Sequence, residues 1–427
     1  MSLRQKLSSS TLRNAGWLVG GRLVNKILAF VVGVLSARYL GPSNQGLIDY
    51  VMAYVTFFAS LCNLGINSVI VKEFVDHPEE EGTALGTSMV MQAISSLLSG
   101  VMILGLVYLM DGGDMLTVAV AALSSVGMVF HVFDTMKRWF YHRMESKYTA
   151  IATVVAYLTV SIYKIVLLIT GRGVLWFAVA TSVEYLVVAI FLLAAYKKKG
   201  GPKFAFSWAK GRQLLSASNG YIISGLMVSI YAVTDKLMLE GMLDKASVAY
   251  YGRAVAVSTM WTFLLEALID ALSPGIIQAS AKDRALFEKK NRQLYAIIIY
   301  SALFASVVIC PLAKPIVRIL YGEEFLPAVA PLRIVTWYTA FSYLGGARSA
   351  WAVSENKQKY LKYLYFGAAV LNVALNAVMI PLWGVSGAAV ASLITQVSTV
   401  TFLPLMIPAM RPNVKLMAQA FLLRKIK

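Results

Sequence analysis

Charge is scarce in this chain, and acidic charge is the scarcer kind. Only 14% of the 427 residues are Asp, Glu, Lys or Arg, whereas 58% are apolar, and 21 acidic residues stand against 39 basic ones. Average proteins carry about 25% charged residues, so the composition excludes an ordinary soluble domain. Cysteine is also rare: Cys62 and Cys310 both fall in apolar runs, which predicts free buried thiols and no disulfide framework.

Signatures of enzymes are missing as well. The three histidines, at 77, 131 and 142, lack the spacing of metal ligands. No GxxxxGK sequence followed by Ser or Thr occurs, so the P-loop of ATP-hydrolysing proteins is absent. The connections poor in Lys and Arg are short, the longest lying near 311–327, and leave little room for a catalytic domain. We therefore expect a non-enzyme with no catalytic residues, no metal and no cofactor.

What the chain has instead is a succession of long apolar runs. About 20 helical residues cross the ~30 Å hydrocarbon core of a bilayer, and twelve runs reach that length. The first run is too long for a signal peptide and contains Arg22 and Lys26. We predict twelve transmembrane helices near residues 14–37, 45–70, 84–110, 115–136, 148–170, 174–196, 214–239, 246–273, 293–316, 328–352, 361–381 and 385–410.

The basic residues are distributed unevenly between these runs. Every second connection, together with the two termini, holds 27 of the 39 Lys and Arg, and the intervening connections hold five. Lys and Arg in short loops resist translocation and stay on the cytoplasmic side. We therefore expect both termini to be cytoplasmic in a bacterial inner membrane. Anionic membrane lipids facing the basic loops explain the formal charge of +18, so no nucleic-acid partner is needed.

The chain divides near its middle. The basic, Gly- and Pro-containing connection 197–212 separates six runs from six runs. We predict an N-terminal lobe over 1–200, a cytoplasmic linker over 201–213 and a C-terminal lobe over 214–427. Shifting the second half by 202 residues places 243–247 on 41–45, so the first turn of each half matches in position. The fold class expected is all-α and polytopic, with two six-helix bundles around a central cavity.

Polar residues inside the runs indicate where such a cavity would lie. Arg22 and Lys26 share a helix face, with Asn25 beside them. Like charges repel, and a charge at mid-bilayer costs about 2.5–3.5 kcal/mol, so water or an anion is expected to face this pair. Interhelical hydrogen bonding by Ser, Thr and Asn remains an alternative for the uncharged residues. The acids considered for ion coupling or gating are Asp49, Asp235, Glu266 and Asp270, and Asp49 lies near enough to a helix end to reach the interface instead.

The residues also resemble a known family. The segment from Asn14 to Phe74, which includes ARYLGPSNQGLIDYVMAYVTFFASLCNLGINSVIVKEF, is similar to the N-terminal region of Wzx-type oligosaccharide flippases. These belong to the polysaccharide transporter branch of the multidrug/oligosaccharidyl-lipid/polysaccharide exporter superfamily. The segments LYGEEFLPAVAPLRI (320–334) and LNVALNAVMIPLWGVSGAAVASLITQ (371–396) resemble the C-terminal region of that family, so the resemblance covers essentially the whole chain.

The resemblance implies a function and supplies a substrate for the polar residues. It implies that undecaprenyl-diphosphate-linked oligosaccharide moves from the cytoplasmic to the outer leaflet by alternating access, with polysaccharide assembly machinery as a further partner. Its motif extends to Gly41, Pro42 and Gly46, for which it implies a turn between helices. Independently of the motif, the embedded charges suggest diphosphate binding by Arg22 and Lys26, assisted by Lys236 and Arg253, and sugar binding by Asn25, Asn63, Tyr221 and Tyr231.

Three other functions compete with this interpretation. An ion-coupled drug or metabolite exporter of the same superfamily would favour an acidic cavity for cationic substrates, against Arg22 and Lys26. A membrane glycan polymerase or ligase would need a large outer loop. The flippase for the lipid-linked peptidoglycan precursor usually has two additional helices. The glycan, the coupling ion and the oligomeric state are left open by the sequence.

Overall fold

The described part of the chain is built from α-helices and short 3₁₀ turns. The computed structural model describes residues 9–424, without the side chains of 9–19, 21, 22 and 224, and no β-strand occurs within these limits. The helices are α1 (Ser9–Cys62), α2 (Ile70–Asp76), α3 (Glu81–Met110), α4 (Met115–Ser125), α5 (Asp134–His142), α6 (Ser146–Ile169), α7 (Val174–Lys198), α8 (Trp208–Met242), α9 (Lys245–Thr259), α10 (Phe263–Ser280), α11 (Arg284–Tyr321), α12 (Val329–Ser354), α13 (Leu361–Val400), α14 (Phe402–Met406) and α15 (Arg411–Phe421).

The helices supply twelve membrane crossings. Nine helical stretches within the described residues are long and apolar enough to span a bilayer. Two of them, in α1 and α13, contain non-helical backbone at Gly41 and Gly384 and provide two crossings each. The 26 residues of α12 provide the twelfth. The prediction of an all-α polytopic membrane protein is confirmed, with α4–α5 and α9–α10 each forming one interrupted crossing.

The first helix reverses where the sequence motif predicts a turn. Gly41 has φ 72°, a left-handed backbone conformation that favours glycine over other residues. Pro42 follows and has no backbone N–H to continue the helical hydrogen bonds. The matching turn of the second half uses a different device, because Asp244 caps α9 by accepting a hydrogen bond from Ser247 N at 2.7 Å.

By its internal contacts the chain forms two units, the first of which comprises Met1–Ser229. Its core contains the fully buried Ile66, Phe74 and Trp139. Glu81, which is 6% exposed, accepts hydrogen bonds from Trp139 Nε1 at 2.9 Å and from Arg143 Nη2 at 3.0 Å. A buried carboxylate is tolerated when it is paired in this way, so the start of α3 is fixed to α5.

The basic connection before α8 is packed onto α3. Ala205 N donates to Gly82 O at 3.2 Å. A Cβ at Gly86 would lie 2.3 Å from Ala205 O, so the connection approaches α3 only because glycine stands there. Lys210 is 8% exposed and forms ion pairs with Glu73, at 2.6 Å, and with Glu80. The beginning of α8 therefore belongs structurally to the first unit.

The second unit comprises Ile230–Lys427, so the two units divide inside α8. The lobe boundaries predicted from the sequence, 1–200, 201–213 and 214–427, stay a prediction. Within the second unit α11, α12 and α13 surround the fully buried Phe287, Tyr295 and Trp351. Arg348, 2% exposed, donates to Thr399 O at 2.9 Å. The C-terminal helix α15 lies against α11.

Candidate functional site

The second unit contains a buried carboxylate surrounded by hydrogen-bond donors. Asp235 on α8 is 9% exposed. Its Oδ1 accepts from Asn376 Nδ2 at 2.7 Å and from Asn372 Nδ2 at 3.2 Å. Its Oδ2 accepts from Ser392 Oγ at 2.5 Å and from the Tyr251 hydroxyl. We call these five residues the Asp235 cluster.

The interruption of α13 brings three of these residues together. Asn372 and Asn376 lie one helical turn apart on the crossing before Gly384, and Ser392 lies on the crossing after it. Tyr251 is contributed by α9. Four crossings of the second unit therefore meet at one carboxylate. Hydrogen bonds to charged groups contribute about 1.5–3 kcal/mol each, which offsets much of the cost of a charge within the membrane.

All the groups at this carboxylate present oxygen or can present it. Asn376 Oδ1 is buried and has no hydrogen-bond partner. The oxygen and nitrogen of an amide are assigned from the hydrogen-bond network, so rotating both Asn372 and Asn376 turns two carbonyl oxygens towards Asp235. The cluster then offers a carboxylate, two carbonyls and two hydroxyls. Oxygen ligands suit hard cations, and one negative charge suits a monovalent ion.

A second carboxylate of the same unit is held by a tyrosine. The Tyr343 hydroxyl contacts Glu266 Oε1 at 2.9 Å and Thr262 Oγ1 at 2.6 Å. Tyr338, also on α12, is hydrogen-bonded to Tyr251 of the Asp235 cluster. Helix α12 therefore places one tyrosine beside each of the two sites.

The remaining predicted residues of the second unit lie on α8, α9 and α10. Tyr231, one turn before Asp235 on α8, is hydrogen-bonded to Gln396. Lys236 follows Asp235 directly and is half-buried. Arg253 on α9 is half-buried as well, whereas Asp270 on α10 is exposed, and each takes part in polar interactions.

The predicted diphosphate residues lie on α1 of the first unit. The side chain of Arg22 lies outside the described residues. Lys26 is half-buried and takes part in a polar interaction. Asn25 is 9% exposed, and its Oδ1 has no hydrogen-bond partner among the described residues.

The polar groups of Asn63 are engaged inside the first unit. Its Nδ2 donates to Ala59 O at 3.0 Å, and its Oδ1 accepts from Asn67 Nδ2 at 2.8 Å. Gln92 Nε2 donates to Asn63 O at 3.4 Å. These bonds satisfy the backbone where α1 ends, since the last carbonyls of a helix lack partners within it.

Asp49 and Tyr221 differ in accessibility. Asp49 is 8% exposed and accepts from Gln45 Nε2 at 3.0 Å, one turn earlier on α1. Tyr221 on α8 is 53% exposed. Asp49 is therefore enclosed within the first unit, whereas the ring of Tyr221, in the same unit, is open to contact.

The sequence singled out Asp235 but not its partners as site residues. Asn372 and Asn376 are visible as an amide pair four residues apart in an apolar run, LNVALN, a pattern that signals one polar helix face. Ser392 and Tyr251 carry no comparable signal. No group of three or more His, Cys, Asp or Glu that could hold a metal ion occurs within residues 9–424.

Comparison with known proteins identifies the family. Residues 11–280 match the model of the family described as polysaccharide biosynthesis protein. The chain belongs to this family. The resemblance to Wzx-type transporters drawn from the sequence is thereby confirmed.

Two relatives that are 22% identical to this chain align with nearly its whole length. An uncharacterised membrane protein of Methanocaldococcus jannaschii is 22% identical over 92% of this chain and 82% of its own length. Lipid II flippase MurJ of Bacillus subtilis is 22% identical over 93% of this chain and 82% of its own length.

Solved structures share the fold. The inward closed conformation of lipid II flippase MurJ superimposes with a TM-score of 0.76 at 15% identity, covering 95% of this chain and 91% of that one. An inward-facing multidrug resistance MATE family transporter of the MOP superfamily gives a TM-score of 0.72 at 16% identity, covering 92% and 96%. The family and the fold together make this chain a multi-pass membrane transporter of that superfamily.

Proposed function

We propose that the protein moves undecaprenyl-diphosphate-linked oligosaccharide from the cytoplasmic to the outer leaflet of a bacterial plasma membrane. The product would feed a surface polysaccharide such as lipopolysaccharide or capsule, in contact with the polysaccharide assembly machinery. Membership of the polysaccharide biosynthesis family and the relative described as a lipid II flippase support a lipid-linked glycan as substrate.

The observation that supports this substrate most is basic charge inside the membrane crossings. Lys26, Lys236 and Arg253 are all half-buried on apolar helices. A diphosphate needs such groups, because charge-assisted bonds to phosphate are about twice as strong as neutral ones. In this proposal Arg22 and Lys26 bind the diphosphate, and Lys236 and Arg253 assist.

Polar and aromatic residues serve the sugar chain in this proposal. Tyr221 offers an exposed ring and hydroxyl, and Asn25 offers an unpartnered carbonyl oxygen. Tyr231 would exchange its hydrogen bond with Gln396, and Asn63 its bond with Asn67, for bonds to sugar hydroxyls.

We further propose that the Asp235 cluster binds the coupling cation, with Na⁺ as the first candidate. The ligands are one carboxylate, two amides and two hydroxyls on four different crossings. A cation held there would tie these crossings together and bias an alternating-access cycle. Glu266, which is held by Tyr343, is proposed as a further ion-coupling residue, and Asp49 and Asp270 are proposed as gating residues.

Transport of lipid II itself is the second candidate, because MurJ matches this chain in both sequence and structure. Membership of the polysaccharide biosynthesis family over residues 11–280 favours a polysaccharide repeat unit over lipid II.

Deletion of the gene tests the proposal. The deletion strain should lose a surface polysaccharide and accumulate lipid-linked repeat units, with drug tolerance and wall growth intact. Loss of drug tolerance alone would point to an exporter. Rescue of a strain lacking its lipid II flippase would support the second candidate.

A further inference from the structure

A polar cavity of about 580 Å³ lies beside the C-terminal helix of the second unit. Arg284, Glu288 and Arg292 contribute from α11, and Arg411, Lys415 and Gln419 contribute from α15. Arg292 is 6% exposed. The cavity thus joins the first turns of α11 to the polar side of α15.

Positive charge exceeds negative charge around this cavity. Glu288 pairs with Arg284 at 3.1 Å and with Arg292 at 3.4 Å, and Arg284 also pairs with Glu355. Among the described residues Lys415 forms no ion pair, and its side chain is exposed. Four basic residues therefore face two carboxylates.

An apolar cavity of about 400 Å³ lies on another side of the same helix. Its wall includes Ile299 and Leu303 of α11, Phe341 of α12, and Met417 and Phe421 of α15. Tyr300 donates a hydrogen bond to Phe421 O at 2.7 Å, which holds the end of α15 against α11. The cavity is apolar enough for a hydrocarbon chain.

Helix α11 gives the spacing between the two cavities. The polar cavity uses residues 284, 288 and 292, and the apolar cavity uses residues 299, 303 and 306. At 1.5 Å per residue, 292 and 299 are about 10 Å apart along the axis. The polar cavity lies at the basic end of α11, where the loop charges indicate cytoplasm, and the apolar one lies deeper.

Helix α15 itself is amphipathic. Leu416, Met417 and Ala420 are buried, whereas Arg411 and Lys415 are exposed. Helices with an apolar face and a basic face lie at the membrane interface. Basic pockets between membrane helices on the cytoplasmic side bind anionic lipid head groups.

We propose that the groove along α15 binds an anionic phospholipid of the cytoplasmic leaflet. Its phosphate contacts Arg292, Arg411 and Lys415, and one acyl chain enters the apolar cavity. The polar cavity lies nearer the cytoplasmic end of α11 and the apolar cavity lies about 10 Å deeper along the helix axis. A phospholipid has the same order, with its phosphate at the surface and its acyl chain below it. This lipid is a resident ligand, separate from the transported substrate.

Thermal unfolding of the purified full chain tests the proposal. Wild type in nanodiscs of phosphatidylcholine alone is compared with wild type in nanodiscs in which about a fifth of the lipid is phosphatidylglycerol, which supplies the negative surface that basic groups bind. Phosphatidylglycerol should raise Tm in wild type. The apparent lipid affinity is taken from the rise of Tm as the share of phosphatidylglycerol increases. Lys415→Gln should weaken this affinity about fivefold. Lys282→Gln, which replaces an exposed lysine outside the groove, should leave it unchanged.

Two further measurements distinguish binding of a whole phospholipid from binding of a phosphate group alone. Inorganic phosphate should not raise Tm, because it lacks the acyl chain. Ala418→Trp, at the wall of the apolar cavity, should lower the number of phosphatidylglycerol molecules retained in native mass spectrometry. Equal retention in wild type, Lys415→Gln and Ala418→Trp would overturn the proposal, as would an equal Tm gain from inorganic phosphate. Because retention is counted on folded protein, a loss of stability in one variant does not obscure the result.

Discussion

Replacing Asp235 by Asn removes the only anionic group of the Asp235 cluster. The carboxylate accepts four hydrogen bonds, from Tyr251, Asn372, Asn376 and Ser392. A ligand at about 100 times its Kd stabilises the folded state by about 2.7 kcal/mol. Wild type should gain about this much unfolding free energy in saturating Na⁺, and Asp235→Asn should lose nearly all of the gain, because a neutral amide gives no charge to balance the cation.

The assay is unfolding followed in NaCl and in choline chloride at equal ionic strength. Asp134→Asn is the control, since Asp134 is an acid of the first unit that pairs with Lys137 and has no role in the proposal. The control should keep the Na⁺ response. A full Na⁺ response in Asp235→Asn would refute the assignment. A wild type that responds to pH and not to Na⁺, with the pH response lost in Asp235→Asn, would identify the ion as H⁺.

Further predictions concern the cluster, the basic residues, the topology and the connection before α8. Asn376→Leu should cost about 1.5–3 kcal/mol in unfolding free energy, because the 2.7 Å bond to Asp235 is lost; no change in unfolding free energy would contradict the described contact. Lys26→Ala should reduce transport while the amount of protein in the membrane stays unchanged. Arg22→Lys should retain more transport than Arg22→Gln, because a positive charge is needed. Full activity of a variant in which Arg22 and Lys26 are both replaced by Ala would refute their role in diphosphate binding. In a cysteine-free background, a cysteine replacing the exposed Met115 should be labelled from outside and one replacing Lys203 from inside, and the reverse result at either would contradict the topology. Gly86→Ala should expose 202–207 to proteases, because its Cβ would lie 2.3 Å from Ala205 O, whereas Gly100→Ala, with open space around it, should not; equal cleavage would refute the packing.

The crossings were predictable because each depends on a local property. Helix length and hydropathy locate them, and Gly41 with Pro42 marks a turn through backbone geometry alone. At the site, an acid inside an apolar run points to Asp235. Its partners Asn372 and Ser392 are 137 and 157 residues away, and only the interruption of α13 at Gly384 places them at one carboxylate.

The C-terminal helix shows a different limit. The sequence interpretation ends its last crossing at 410 and assigns Arg411 and Lys415 to a cytoplasmic tail. The structure forms α15 from this tail and packs its apolar face on α11. Amphipathic spacing is visible there, but a helix of 11 residues is marginal without tertiary contacts.

Translocation by the purified protein tests the central proposal most directly. Liposomes containing the protein and a fluorescent undecaprenyl-diphosphate oligosaccharide are treated with a quencher that reaches only the outer leaflet. Under an inward or outward Na⁺ gradient, wild type should make the inner-leaflet pool accessible, and protein-free liposomes and Lys26→Ala should do so much more slowly. An inner pool that stays protected with wild type under every gradient, or equal accessibility in the protein-free liposomes, would contradict the proposed flippase.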